Sequence, residues 1–255
     1  MRKISFPILL LFCILTLQAQ DRAFTRWSAG INGGLYGAGL QAATNLSPHL
    51  RLRTGFDYFS YNQQDVASFD ADFEGYEEFE GFNATLEADI TEASVTFPNF
   101  KLLLDIYPMR NGIFCFTTGF YIGSNKVEAD GLIHRYDELV RLSQEMGRGK
   151  PSLEYEDIVF SPDDDGSFNG LLTMGSSFKP YIGLGLGRTI PKNRVGVKFE
   201  LGMVYQGKFE LDSRNVNDAG QDWVDRMADE LELPVSQQTL NWWPMLNLSV
   251  TVRIR

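Results

Sequence analysis

The sequence predicts an all-β fold, an eight-stranded antiparallel up-and-down transmembrane β-barrel with long extracellular loops carrying short helices. Three observations predict it. Segments of about ten residues alternate apolar and polar side chains, the period of strands whose two faces meet different surroundings. Beyond residue 20 no segment reaches the roughly 18 consecutive apolar residues of a membrane helix, so any membrane span must be made of strands. Short turns alternate with long inserts, as they do in barrels whose periplasmic turns are tight and whose outer loops are long.

The clearest strand is the last. Leu246, Leu248, Val250, Val252 and Ile254 share one face, and Asn247, Ser249, Thr251, Arg253 and Arg255 share the other. A soluble edge strand with a flat apolar face would invite aggregation. In a closed membrane barrel that face meets lipid, and Trp242 and Trp243 sit at the interface.

Residues 1–20 read as a secretory signal peptide. Arg2 and Lys3 precede a mainly apolar run from Ile4 to Leu17, and the cut falls near Ala19 or Gln20. The remainder, residues 21–255, is the length of one barrel domain. Cys115 is the only cysteine after residue 20, so no disulfide forms within that domain. Without Arg2 and Lys3, 21 basic residues face 33 acidic ones, a formal charge of −12 that opposes binding to nucleic acid.

From the start of the domain, Arg26, Ser28, Gly30 and Asn32 alternate with Trp27, Ala29 and Ile31. Asn32-Gly33-Gly34 fits a tight turn, after which Tyr36, Ala38, Leu40 and Ala42 oppose Gly37, Gly39, Gln41 and Ala43. Residues 23–46 fit either a hairpin or one long strand. A hairpin gives an even number of strands with both termini periplasmic, and is adopted. After a turn at 45–49, Leu50, Leu52, Phe56 and Tyr58 face away from Arg51, Arg53 and Asp57. Residues 62–93 hold ten acidic residues and no Lys or Arg, and read as a long acidic loop with aromatics at Phe69, Phe73, Tyr76, Phe79 and Phe82.

Ser94 to Tyr107 sets Phe100, Leu102, Leu104 and Ile106 against Lys101, Leu103 and Asp105. A turn at 108–112 leads to Phe114, Phe116, Phe120 and Ile122, backed by Cys115, Thr117, Gly119 and Tyr121. The insert 124–177 carries a helix candidate, Leu132 to Met146, and an extended piece, Leu153 to Phe160. Phe178 to Ile190 and Val195 to Gln206 are strands flanking the turn 191–194. The third insert, 207–241, carries a second helix candidate, Asp218 to Leu231. Both helices are acidic, so packing on loop aromatics suits them better than an anionic membrane surface.

Eight strands leave an interior just wide enough for side chains. Its charged residues are of mixed sign. Arg51, Arg53, Asp57, Lys101, Asp105, Lys198 and Glu200 are therefore expected to form a paired network filling the lumen, because buried charges persist only when paired. Gly183, Gly185, Gly187 and Gly202 make room for the long partners, while Arg26, Arg253 and Arg255 are assigned to the periplasmic rim.

The mature start Trp-Ser-Ala-Gly-Ile-Asn-Gly-Gly, the segment Phe-Lys-Pro-Tyr-Ile-Gly-Leu-Gly-Leu-Gly at 178–187 and the alternating last strand resemble small outer-membrane β-barrels of the OmpA/OmpX/OmpW-like superfamily, particularly those of Bacteroidetes-type bacteria. The resemblance covers the strands, about half of the chain, and not the three inserts. It implies the outer membrane of a Gram-negative bacterium, with membrane lipid and lipopolysaccharide as surroundings; a monomer is expected. Two departures are visible. The chain ends in Arg255 where many such barrels end in an aromatic residue, and no wall-binding domain follows the barrel.

Candidate chemistry is sparse, and no cofactor is implied. The acidic stretch 62–93 suits a divalent cation, a cationic partner or a glycan, or simply a solvated, repelling surface, which is preferred. Asp163, Asp165 and Ser167 resemble the front of a calcium turn, but the distal Glu of an EF-hand is missing and a plain Asp-Gly turn is preferred. His134 lies near Asp137 and Ser143, yet a helix would leave Ser143 off their shared face. The expected role is therefore non-enzymatic, structural or surface-interacting. A loop-borne cation or glycan module, or a narrow channel, is the alternative.

Overall fold

The computed structural model describes residues 23–73, 85–155, 158–217, 220 and 241–254. The signal peptide and the helix expected at 218–231 lie outside them, apart from Gly220. The strands, in chain order, are β1 (Trp27–Gly34), β2 (Gly37–Asn45), β3 (Leu50–Asp72), β4 (Thr85–Ile106), β5 (Phe114–Ile122), β6 (Lys126–Ile133), β7 (Leu153–Tyr155), β8 (Ile158–Phe160), β9 (Ser167–Met174), β10 (Phe178–Gly187), β11 (Val195–Tyr205), β12 (Phe209–Asp212) and β13 (Trp242–Arg253). Among the described residues the helix α1 (Tyr136–Glu145) lies between β6 and β7.

Eight of these strands close on themselves in the order β1-β2-β3-β4-β5-β10-β11-β13, every neighbour antiparallel. Closure leaves no open edge within the barrel. Its outer face is apolar. Ile31, Leu40, Ile182, Leu184, Leu201 and Leu248 are each at least half exposed, which suits hydrocarbon and not water. The expected Trp pair divides between the faces. Trp242 stays outside with its ring 5.4 Å from Tyr205, and Trp243 packs on the interior aromatic cluster.

The first hairpin exists, but its turn is two residues later than Asn32-Gly33-Gly34 suggested. Gly34 pairs with Gly37, so Leu35 and Tyr36 form the turn, and Gly37 supplies the positive φ of 92°. Asn32 is held in the strand by donating to Asp57 Oδ1 at 2.7 Å. Tyr36, which alternation groups with the outward Leu40, instead folds into the lumen.

The stretch 62–93 is not simply a loop. β3 runs on to Asp72, and β4 starts at Thr85 and pairs with it, so the ribbon continues for roughly 40 Å along the strand beyond Phe59. The second insert also continues the barrel wall. β4 pairs with β5 through Phe100–Ile106 and with β6 through Ala88–Thr96. The chain turns from β5 to β6 at Gly123, where a Cβ would lie 1.8 Å from the Pro98 carbonyl oxygen. Gly175 (φ 77°) and Gly207 (φ 85°) bend the chain similarly at β9–β10 and β11–β12. The upper sheet β3-β4-β6-β9-β12 thus repeats the barrel order β3-β4-β5-β10-β11, with glycines marking the joints.

Helix α1 lies on this upper sheet, inside the range expected from Leu132 to Met146, and buries Tyr136, Leu139 and Val140. They meet Ala71, Phe73, Leu86, Ala88 and Ile133, and the rings of Phe73 and Tyr136 are 5.5 Å apart. Packing on a loop aromatic is what the acidic character of the helix implied. Asp137 and Glu138 in its first turn suit the positive end of the helix dipole. The expected extended piece is the small β7–β8 hairpin. Tyr136→Ala is expected to cost this satellite core about 3 kcal/mol and to open the lobe to protease, while the barrel keeps its electrophoretic mobility. Limited proteolysis read beside unboiled gels checks it.

Candidate functional site in the barrel lumen

Side chains fill the lumen in layers. At the outer end, Tyr36, Tyr121 and Tyr181 stack edge to face, with ring centres 5.5 Å apart in each successive pair. Above them Lys179 donates to the Gly123 carbonyl at 2.5 Å and to Asn99 Oδ1 at 3.4 Å. Asn125 joins this layer by bonding Asn99 (2.8 Å) and Gln206 (3.3 Å).

The charged layer lies below. Lys101 Nζ reaches both carboxylate oxygens of Asp57, at 2.7 and 2.9 Å, and Asn32 Oδ1 at 2.9 Å. Arg53 Nη2 bridges Glu200 Oε2 at 2.6 Å and Asp105 Oδ1 at 3.2 Å. Lys198 Nζ bonds the same two acids, at 2.6 and 2.9 Å. Thr117 donates to Asp105 at 2.7 Å, Thr189 donates to its other oxygen, and Tyr181 donates to Glu200 at 2.8 Å.

Three cations thus meet three carboxylates, each at most 2 % exposed as a residue. Taking six charges out of water is costly, and mutual pairing with added hydrogen bonds is what offsets that cost. The glycines make the space. A Cβ on Gly183 or Gly202 would lie 2.4 Å from the Tyr181 hydroxyl, and one on Gly185 would lie 2.6 Å from Lys198 Cε.

Of the seven residues expected to form the network, the structure brings six together: Arg53, Asp57, Lys101, Asp105, Lys198 and Glu200. Arg51 is the departure. It sits at the rim and donates to turn carbonyls, Leu50 O at 2.9 Å, Pro48 O at 3.2 Å and Ser47 O. The reason is its depth. Arg51 is the second residue of β3, at the end where the turns are short, whereas Arg53 lies one full pleat further in. Sequence reasoning missed Lys179, although it lies on the inward face of an expected strand. It also missed the three inward tyrosines as a layer. Alternation along Phe178 to Ile190 puts Lys179 and Tyr181 on one face and was the signal available for these two; for Tyr36 alternation gave none.

The remaining candidates lie on the upper lobe. Asp165 Oδ1 accepts from the Ser167 hydroxyl at 2.7 Å and amide at 3.0 Å, which holds the Asp165 carboxyl below its usual range. Asp163 faces Arg214 at 3.3 Å. The arrangement is a closed polar turn entering β9. Among the described residues no group of three or more His, Cys, Asp or Glu side chains is placed to hold a metal ion.

His134 Nε2 lies 2.7 Å from Asp89 Oδ2. Ser68 and His134 both bond Asp89 and lower its carboxyl below the usual range. This is a serine, an aspartate and a histidine in the wrong order for nucleophilic catalysis. The hydroxyl is turned to the carboxylate, so the imidazole is not placed to take its proton.

No family model matches the chain, and neither does any curated protein. Among solved structures the chain is similar to CarO2 of Acinetobacter baumannii, with 18% identity over 91% of this chain and 100% of that one, at a TM-score of 0.49. It is similar to Acinetobacter baumannii CarO, with 18% identity over 88% and 96% at 0.46. It is also similar to a major outer membrane protein from Thermus thermophilus, with 15% identity over 90% and 98% at 0.35. The barrel stands on its own strand register and not on these likenesses.

Proposed function

We propose that this chain is an integral outer-membrane barrel with a structural or surface-interaction role, its lumen closed by a charged plug and its upper sheet presented outside the cell. The observation that carries this reading is the inversion of the fold. Apolar side chains point outward from a closed sheet, while the ion pairs lie inside. Such a surface has hydrocarbon as its natural solvent. The short turns lie at the end that carries Trp27 and Arg253, and the long β3–β4 ribbon lies at the other, which supports periplasmic termini. An N-terminal signal peptide and kinship with the OmpA/OmpX/OmpW-like superfamily belong to the same proposal.

The lobe supports interaction rather than catalysis. Residues Phe59 to Phe69 of β3 are exposed almost throughout and, among the described residues, carry one sheet edge with no strand paired to it. Planar-bilayer recording on the refolded protein tests the plug. The expected result is no steady conductance in the native protein, whereas stable open steps would establish the narrow channel instead.

A further inference from the structure

The upper lobe is acidic, yet the opposite end of the barrel is lined by cations. A cavity of about 340 Å³ opens there, bounded by the segment before β1 and by the three short turns. Arg26, Arg51, Arg110, Arg188 and Lys192 line it. Arg253 joins them around an adjoining cavity of about 360 Å³ that shares Arg26, Arg51, Arg188 and Lys192. No acidic residue lines either cavity among the described residues. In a chain of net charge −10, this is a concentration of positive charge contributed by six residues from five separate segments of the chain.

Three of the side chains are anchored but not neutralised. Arg51 is fixed by the turn carbonyls described above and stacks over Tyr107 at 5.8 Å. Arg188 donates to the Asn111 carbonyl, and Arg253 donates to the Lys192 carbonyl at 2.7 Å. None of the six has an ion-pair partner among the described residues. Each guanidinium has five donors, so an anchored arginine still has N–H groups to offer. Arg26 and Arg188 line the same cavity as Arg51, and no carboxylate lines it among the described residues. An anion in the cavity would offset these like charges and accept the free donors.

Ile190 lines the adjoining cavity, and its chain neighbour Thr189 bonds Tyr107 at 3.1 Å and donates to Asp105. The cavity therefore backs onto the filled lumen as a cup. Its size suits a compact oxyanion carrying several charges.

We propose that the turn-side mouth of the barrel is a binding cup for a phosphate-bearing anion, gripped by Arg51 and Arg188 with Arg26, Arg110, Lys192 and Arg253 around them. The forked arginine donors match phosphoryl oxygens, and the six charges favour a multiply charged ligand over a simple carboxylate. The source is a soluble phosphorylated solute or the headgroup of an anionic lipid of the adjacent leaflet; both present the same chemistry to the cup.

Calorimetric titration of inorganic pyrophosphate tests the cup, using the full-length barrel in nanodiscs of zwitterionic lipid at low salt. The expected result is one saturable site per barrel, weakened by added salt. Combining Arg51→Gln with Arg188→Gln removes two charged hydrogen-bond donors and is expected to weaken binding by about tenfold or more. The lobe variant Lys150→Gln leaves it unchanged. Unboiled gels establish that each variant is folded.

A second arm uses nanodiscs containing phosphatidylglycerol. Weakened pyrophosphate binding there, with phosphatidylglycerol retained by the parent and lost from the double variant in native mass spectrometry, identifies the headgroup as the source; unchanged binding identifies a soluble solute. Absence of saturable binding together with no retained anionic lipid overturns the proposal, as does equal affinity in the folded double variant. A barrel that passes the gel test and fails this titration refutes the cup alone and leaves the membrane reading intact.

Discussion

Asp105→Ala is expected to cost the folded barrel about 3–5 kcal/mol, the usual penalty for removing one partner of a buried ionic group. Asp105 holds Arg53 at 3.2 Å and Lys198 at 2.9 Å, and it accepts from Thr117 and Thr189. Without it two cations share the single carboxylate Glu200 in a site with no exposure to water. Urea-dependent folding into lipid vesicles, followed by tryptophan emission, measures the loss. Replacing Arg53, Asp105, Lys198 and Glu200 together by apolar residues of matched volume is expected to recover most of it, because an uncompensated charge costs more than an absent one. A single Asp105→Ala variant as stable as the parent would mean that the pairs contribute nothing to holding the interior.

The second large effect is on the opposite face. Leu248 lies half exposed near the middle of β13, between Trp242 and Arg253, paired with Phe199 on one side and Gly33 on the other. Leu248→Arg places a guanidinium at the expected centre of the bilayer and should cost about 2–4 kcal/mol. Val252→Arg on the same face of the same strand, two pleats nearer the rim, should cost only about 0–1 kcal/mol because the side chain reaches the interface. The comparison cancels strand propensity and isolates depth. Equal penalties at Leu248 and Val252 would show that no hydrocarbon layer surrounds the barrel.

How much of this was legible in the sequence follows from which faces differ. Where a strand separates lipid from a polar lumen, side chains must alternate, and the alternation in residues 94–106, 178–187 and 246–254 placed both faces. The six network residues were legible for the same reason, since a charge on the inward face of a narrow barrel needs a partner. Beyond the barrel that logic lapses. Residues 60–70 of β3 are exposed on nearly all sides, so no period of two distinguishes strand from loop.

Close approach also hides from a linear reading. Asn32-Gly33-Gly34 has turn composition, but Gly34 is needed where the chain passes the Leu246 carbonyl, with only 2.4 Å available to a Cβ. The true turn at Leu35-Tyr36 is set by the inward packing of Tyr36, a tertiary contact. Depth along the barrel axis is equally invisible: Arg51 and Arg53 lie on one face, yet one binds turn carbonyls at the rim and the other sits in the buried network.

The central claim is a closed sheet with lipid for solvent on its outer face, and electrophoretic mobility of the detergent-refolded protein tests it most directly. A closed barrel that survives dodecyl sulfate at room temperature should run as a compact band unboiled and shift to the mobility of its fully unfolded chain after boiling. Identical mobility before and after boiling, from protein that folds as a monomer in water without detergent, would contradict it.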